Sequence, residues 1–153
     1  MADEAQGGKG IFNIEKIYVK DLSLEIPHAP KIFLERDNPK VEVQLHTQAV
    51  SIEEHVFEVV VMSTVTAKLG ETVMFLIEAK QAGIFQVRNV PAAELDQVLA
   101  VMCTGILFPY LREVVSDVAV RAGFAPVLLS PVNFEAIHQQ RLTSYAASSV
   151  TAH

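Results

Sequence analysis

Fourteen consecutive residues, Val98–Leu111 (VLAVMCTGILFPYL), carry no charge and lie within what reads as one long helix. A helix resting on a domain surface keeps a polar stripe, so one that is apolar all round has to be covered on more than one side. The run is too short to span a bilayer, contains Gly105 and Pro109, and is bounded by Glu94, Asp96, Arg112 and Glu113, so direct membrane insertion is not expected. The expected covers are the chain's own sheet on one side and another subunit on the other, with Val98, Val101, Met102 and Cys103 at the subunit interface. The pattern predicts an obligate oligomer.

At 153 residues the chain is expected to form one domain with a substantial core. Half of it is hydrophobic and 20% is charged, an apolar surplus that points to interface or working hydrophobic surface. The net charge of −6 is uneven: residues 1–78 hold 13 acidic and 7 basic side chains, residues 79–153 five of each. An acidic half argues against nucleic acid, which needs a basic face, and favours a basic partner. Cys103 is the single cysteine, so no intrachain disulfide or thiolate metal cluster is expected, and its apolar surroundings suit a packing role. The N-terminus, MADEAQGGKG, lacks the basic start and apolar stretch of a signal peptide, so a cytoplasmic location is expected.

Residues 1–10 and 146–153 are small, polar and aperiodic, and are expected to be disordered tails flanking a domain over 11–145. From Ile11 to Ile26 the apolar residues alternate with a change of phase, which a bulge near Glu15–Lys16 would produce. Three prolines between Pro27 and Pro39 predict an extended crossover, unusually apolar at Ile32, Phe33 and Leu34. Val41, Val43 and Leu45 mark a half-buried strand; Val56–Lys68 and Thr72–Lys80 are two more, turning at Leu69-Gly70. In the last strand Val73, Phe75, Ile77 and Ala79 are expected to face the helices.

A long helix follows from Pro91, with Leu95, Val98, Met102, Ile106, Tyr110, Val114 and Val118 recurring at spacings of three or four. Over 92–121 it would be about 45 Å long, kinked at Pro109 and stopped by Gly123. A short second helix starts after Asn133, a good cap, and runs to Tyr145. Strands followed by helices predict an α+β fold: a four-stranded antiparallel sheet with a long helix and a short C-terminal helix on one face.

Nothing in the chain spells out an active site. None of the five histidines stands at helical i, i+4 spacing to another, no phosphate loop or nucleophile elbow occurs, and Glu135 with His138 reads as a solvated helix face. No enzyme activity, metal or cofactor is therefore expected.

Five segments in order and spacing, covering roughly residues 11–142, resemble the bacterial SecB protein-export chaperone family. They are IYVKD (17–21) followed by the Pro27–Pro30 stretch, AGIF (82–85), ILFPY (106–110) with Arg112-Glu113, and PVNF (131–134). The resemblance implies a SecB-like tetramer, a dimer of dimers. It would bind unfolded precursor proteins in the cytoplasm, keep them competent for translocation and deliver them to the SecA motor.

The resemblance also assigns residues. An outer sheet face at Asp21, Glu25, Leu76 and Glu78 would receive the basic C-terminal tail of SecA. Strand parity agrees, since Asp21 and Glu25 share one face of their strand and Leu76 and Glu78 share one face of theirs. Client binding is expected in apolar grooves between the crossover residues Ile32, Phe33 and Leu34 and the helix residues Phe134 and Ile137. Family members often carry a tryptophan in the crossover where this chain has Asp37, so the aromatic anchor falls to Phe33. Two rivals are a SecB-like chaperone dedicated to a toxin–antitoxin pair or another specific client, and a small-ligand-binding α+β domain.

Overall fold

The computed structural model describes the backbone of residues 9–151 and the side chains of residues 9–144; of the expected N-terminal tail, residues 1–8 lie outside this range. Four strands, β1 (Ile11–Glu25), β2 (Lys40–Glu53), β3 (Val56–Leu69) and β4 (Thr72–Arg88), form one antiparallel sheet in the order β1-β4-β3-β2. Tight turns join β2 to β3 and β3 to β4, the latter at Gly70-Glu71. Only the connection from β1 to β2 has to cross from one sheet edge to the other. That crossover is not purely extended, as expected, but winds into a 3-10 turn at Lys31–Leu34 after a cis Ala29–Pro30 bond.

The α+β class expected from the sequence is found, but two strands are longer than their patterns indicated. β2 continues to Glu53, and β4 passes Lys80 to reach Arg88. β4 is flanked by β1 and β3, and its residues Gln81, Ala82 and Gly83 are buried on both faces. A strand covered on both sides does not alternate, so periodicity misses its second half. At Gly83 a Cβ would come within 2.7 Å of the Phe85 ring and 3.0 Å of Leu107, so a side chain there would push the helix off the sheet. In the first half of β4 a register shift beside Ala67/Lys68 pairs Val73 with Lys68 rather than with a core-face residue. Val73 is thus not on the helix face as expected, whereas Phe75, Ile77 and Ala79 are buried there.

Helix α1 (Ala92–Arg121) packs over β3 and β4. It is α-helical over Ala92–Gln97, widens to a π segment over Val98–Cys103, and returns to α over Thr104–Arg121, continuing through Pro109. The row buried on the sheet is Leu99, Cys103, Leu107, Leu111, Val115 and Ala119. A stride of four drifts about 40° per step around a 3.6-residue helix, and the wider π turns offset part of that drift. Of the row singled out by sequence spacing, Met102 and Tyr110 are half-exposed and only Val118 is buried, whereas Phe108, Leu111, Val115 and Ala122, which spacing puts in a second row beside it, are buried. In a stretch apolar all round, periodicity cannot tell which side meets the sheet. Thr104, buried beside this row, gives its hydroxyl to the carbonyls of Ala100 (2.6 Å) and Val101 (3.1 Å), so its burial leaves no unmet hydrogen bond.

Gly123 ends α1 with φ +94°, its N–H donating to Val120 O and the Phe124 N–H to Ala119 O, each at 3.0 Å, the bond pair of a Schellman cap. An extended segment leads to α2 (Phe134–Thr151), where Asn133 Oδ1 caps by accepting from the Ala136 N–H at 2.9 Å. The helix runs past Tyr145 to Thr151, so the C-terminal tail expected from residue 146 is helical over that stretch.

Candidate functional site

The crossover, β2, the end of α1 and residues 124–132 enclose an open groove of about 980 Å³. Its wall comes from the inner face of β2, the sheet side that α1 covers over β3 and β4. Val41, Val43 and Leu45 stand opposite Ala67, Val65 and Ser63, which are all fully buried. Yet β2 is an edge strand that meets α1 only along its second half, where Thr47–Ala49 lie beside Leu99 and Ala100, and Val41 and Val43 remain 41% and 47% exposed. The floor is Met74, Phe75, Phe108 and Phe124. Phe124 stacks on Phe75 at 4.6 Å and on Phe33 at 5.1 Å, so an aromatic ladder ties the crossover to the sheet. A Cβ at Gly123 would meet the Phe33 ring at 3.0 Å, so the residue that caps α1 also leaves room for the ladder. Glu35, Asp37 and Asn38 form a polar lip.

The five residues expected to line this groove separate into three groups. Phe33 (46% exposed) and Ile137 line it, and Ile32 lines it while buried at its base. Leu34, 79% exposed, is turned to solvent by the 3-10 turn and is not part of the lining. Phe134 does not line this groove: it is buried and meets the Phe108 ring edge-on at 5.8 Å, pinning α2 to α1. Sequence reasoning missed the β2 wall and Phe108, Phe124 and Leu128. The alternation in β2 was legible, but nothing local signals that its inner face stays uncovered.

On the opposite, outer face of the sheet the register brings the expected acidic residues together. Glu25 stands opposite Leu76, Ser23 opposite Glu78 and Asp21 opposite Lys80, and facing residues in an antiparallel ladder project to one side. Asp21, Glu25 and Glu78 are exposed and Leu76 is partly buried. Two register shifts in β1 make this possible. One is the bulge expected near Glu15–Lys16; the second, at Lys20, was not foreseen.

Beside the second bulge, Glu58 of β3 accepts from the Lys20 Nζ at 2.7 Å and from the Tyr18 hydroxyl. The Lys20 bond, with the Tyr18 bond second, holds the Glu58 carboxyl below the usual carboxylate range. Burial and then the neighbouring Glu58 push the Tyr18 hydroxyl up to about 12.

Of the residues expected between subunits, Met102 is 47% exposed and Val98 and Val101 are partly covered. Cys103 is fully buried against its own sheet, and burial pushes its thiol up to about 12, so it belongs to the core of this chain. Among the described residues, no three His, Cys, Asp or Glu side chains are grouped to hold a metal ion.

This architecture is the SecB-like chaperone fold. A Mycobacterium tuberculosis SecB-like chaperone, solved in complex with a peptide from the HigA1 antitoxin, superposes with a TM-score of 0.65 over 79% of this chain and 90% of its own, at 17% identity. The chain belongs to the SecB family: the family model for the preprotein translocase subunit SecB matches residues 5–145. Protein-export proteins SecB from Nitrosospira multiformis and Nitrosomonas eutropha are 57% and 60% identical, covering 92% and 90% of this chain and 87% and 88% of their own lengths. That of Methylobacillus flagellatus is 53% identical over the whole of both chains.

Proposed function

We propose that this chain is a cytoplasmic export chaperone that binds unfolded precursor proteins, keeps them translocation-competent and delivers them to SecA. The observation that carries this reading is the open apolar groove, walled by exposed Val41 and Val43 and floored by aromatic rings. A trough with an apolar lining and few fixed polar contacts holds extended apolar segments without demanding a sequence, and several grooves in one oligomer add avidity. The chaperone needs no cofactor and catalyses no reaction. The outer face bearing Asp21, Glu25, Leu76 and Glu78 is the docking site for the basic tail of SecA.

The working form is a homotetramer, a dimer of dimers. Two uncovered apolar surfaces support this. One is the stripe of α1 with Met102 and Tyr110 about half-exposed; the other is the inner face of β1, where Ile14, Val19, Leu22 and Leu24 are 38–46% exposed beyond the edge of the helix. An antitoxin-dedicated role is less favoured, because the export proteins are 51–60% identical and the mycobacterial chaperone 17%.

The test dilutes a chemically unfolded precursor into buffer with and without the protein and follows light scattering, then titrates SecA by calorimetry. Suppressed aggregation is expected for the wild type and for the Asp21→Lys/Glu78→Lys variant, with SecA affinity lost only in the variant. Failure to suppress aggregation at a stoichiometric excess of tetramer would overturn the chaperone reading.

A further inference from the structure

The facing of Asp21 and Glu25 depends on one extra residue. In a regular strand Tyr18, Lys20, Leu22 and Leu24 would share a side. In β1, Val19 pairs with Gln81 and Asp21 pairs with Lys80, so Lys20 is bulged and the phase changes there. Beyond it Leu22 and Leu24 face the core-side residues Ala79 and Ile77, while Asp21, Ser23 and Glu25 face outward. Hydrophobic pattern alone holds this phase weakly, because Leu22 and Leu24 are still 44% and 38% exposed in the chain.

A polar grip sits on the bulge itself. Glu58 lies two strands away, beyond β4, and one of its carboxylate oxygens takes the Tyr18 hydroxyl while the other takes the Lys20 ammonium. Ala82, which stands between Tyr18 and Val60 in the register, presents only a methyl group on that row. Ala82 and Val60 are buried there although α1 lies on the other face, and the Glu58 side chain is only 14% exposed. A carboxylate that accepts two hydrogen bonds from one strand, before and at its bulge, fixes where the phase changes.

We propose that Glu58 is a positioning residue for partner docking: by gripping Tyr18 and Lys20 it locks the Lys20 bulge and so aims Asp21 and Glu25 at the basic segment. This rests on the reading that SecA docks on that face. Glu58 does not touch the partner; its own charge is taken up by Lys20. Two screened carboxylate contacts depend on the lock, so its loss is expected to weaken SecA binding roughly tenfold.

The experiment compares Glu58→Ala, Lys20→Met and Lys20→Arg with the wild type by SecA calorimetry. Nuclear magnetic resonance follows the cross-strand contacts between Asp21 and Lys80 and between Leu22 and Ala79. Glu58→Ala and Lys20→Met should lose SecA affinity and these contacts while still suppressing client aggregation, and Lys20→Arg, which keeps the donor, should restore both. Retained contacts and unchanged SecA affinity in Glu58→Ala overturn the proposal, as does an equal loss in Lys20→Arg. The Asp21→Lys/Glu78→Lys variant separates the two readings. If it binds SecA normally the docking face itself is wrong, and if it alone fails, only the role of Glu58 is.

Discussion

Two phenylalanines that looked equivalent in the sequence should respond oppositely to truncation. Phe33 is 46% exposed and Phe134 6%, a gap of 40 percentage points of a phenylalanine surface. With roughly 200 Å² per side chain, that gap is about 80 Å². At about 25 cal/mol per Å² it makes Phe33→Ala roughly 2 kcal/mol cheaper than Phe134→Ala. A buried phenylalanine costs about 3–5 kcal/mol to truncate, so Phe134→Ala should sit in that range and Phe33→Ala near 1–3 kcal/mol. For a chain of this size the first is a drop in Tm of roughly 10 °C and the second of a few degrees.

Function should divide the other way. Phe33→Ala removes groove surface and one rung of the ladder to Phe124, so aggregation suppression per folded molecule should fall. Phe134→Ala loosens α2 from Phe108 but leaves the groove wall standing, so suppression per folded molecule should hold. The assay is urea and thermal unfolding at fixed protein concentration, paired with light scattering of an unfolded client well below the variants' Tm. Equal destabilisation by the two variants, or client holding lost only in Phe134→Ala, would refute the separation of groove from core.

Met102→Asp places a charge on the uncovered stripe of α1 and should turn tetramer into dimer or aggregate, read by multi-angle light scattering; a wild-type monomer would sink the reason for the change. Glu58 titrates lower in the folded chain than unfolded, so its contribution is present above about pH 4.3, the unfolded value, and is lost as pH falls through the folded one; Glu58→Gln should flatten that acid limb. Tyr18 titrates higher when folded, so its contribution is full below about pH 10 and is lost as pH rises through 12; denaturant midpoints of Tyr18→Phe across that interval should lack the fall. Cys103 should react with a thiol reagent only after unfolding, and rapid labelling of the native protein would place it at a surface instead.

The chain alone determined whatever depends on neighbours in sequence. The first bulge, the Asn133 cap and the Gly123 stop are set by backbone geometry and side chains a few residues apart, and each is where the pattern put it. The class of fold followed, because strands and then helices leave few ways to bury both sets of apolar faces. The uncharged run also implied that α1 needs covers on two sides, though not which side meets the sheet.

Tertiary structure decided the rest, because it depends on which surfaces remain uncovered. β2 alternates like any half-buried strand, and only its place at the sheet edge, with its first half left uncovered, turns Val41 and Val43 into the wall of a groove. Phe33 and Phe134 carry the same side chain in similarly irregular surroundings; contact with Phe108 makes one core, while stacking on Phe124 leaves the other half-open. Two carboxylates on β1 and one on β4 became a single acidic face only through a register containing a second bulge at Lys20. Burial and register are properties of pairs of segments far apart in the chain, and local periodicity carries no information about which pairs will meet.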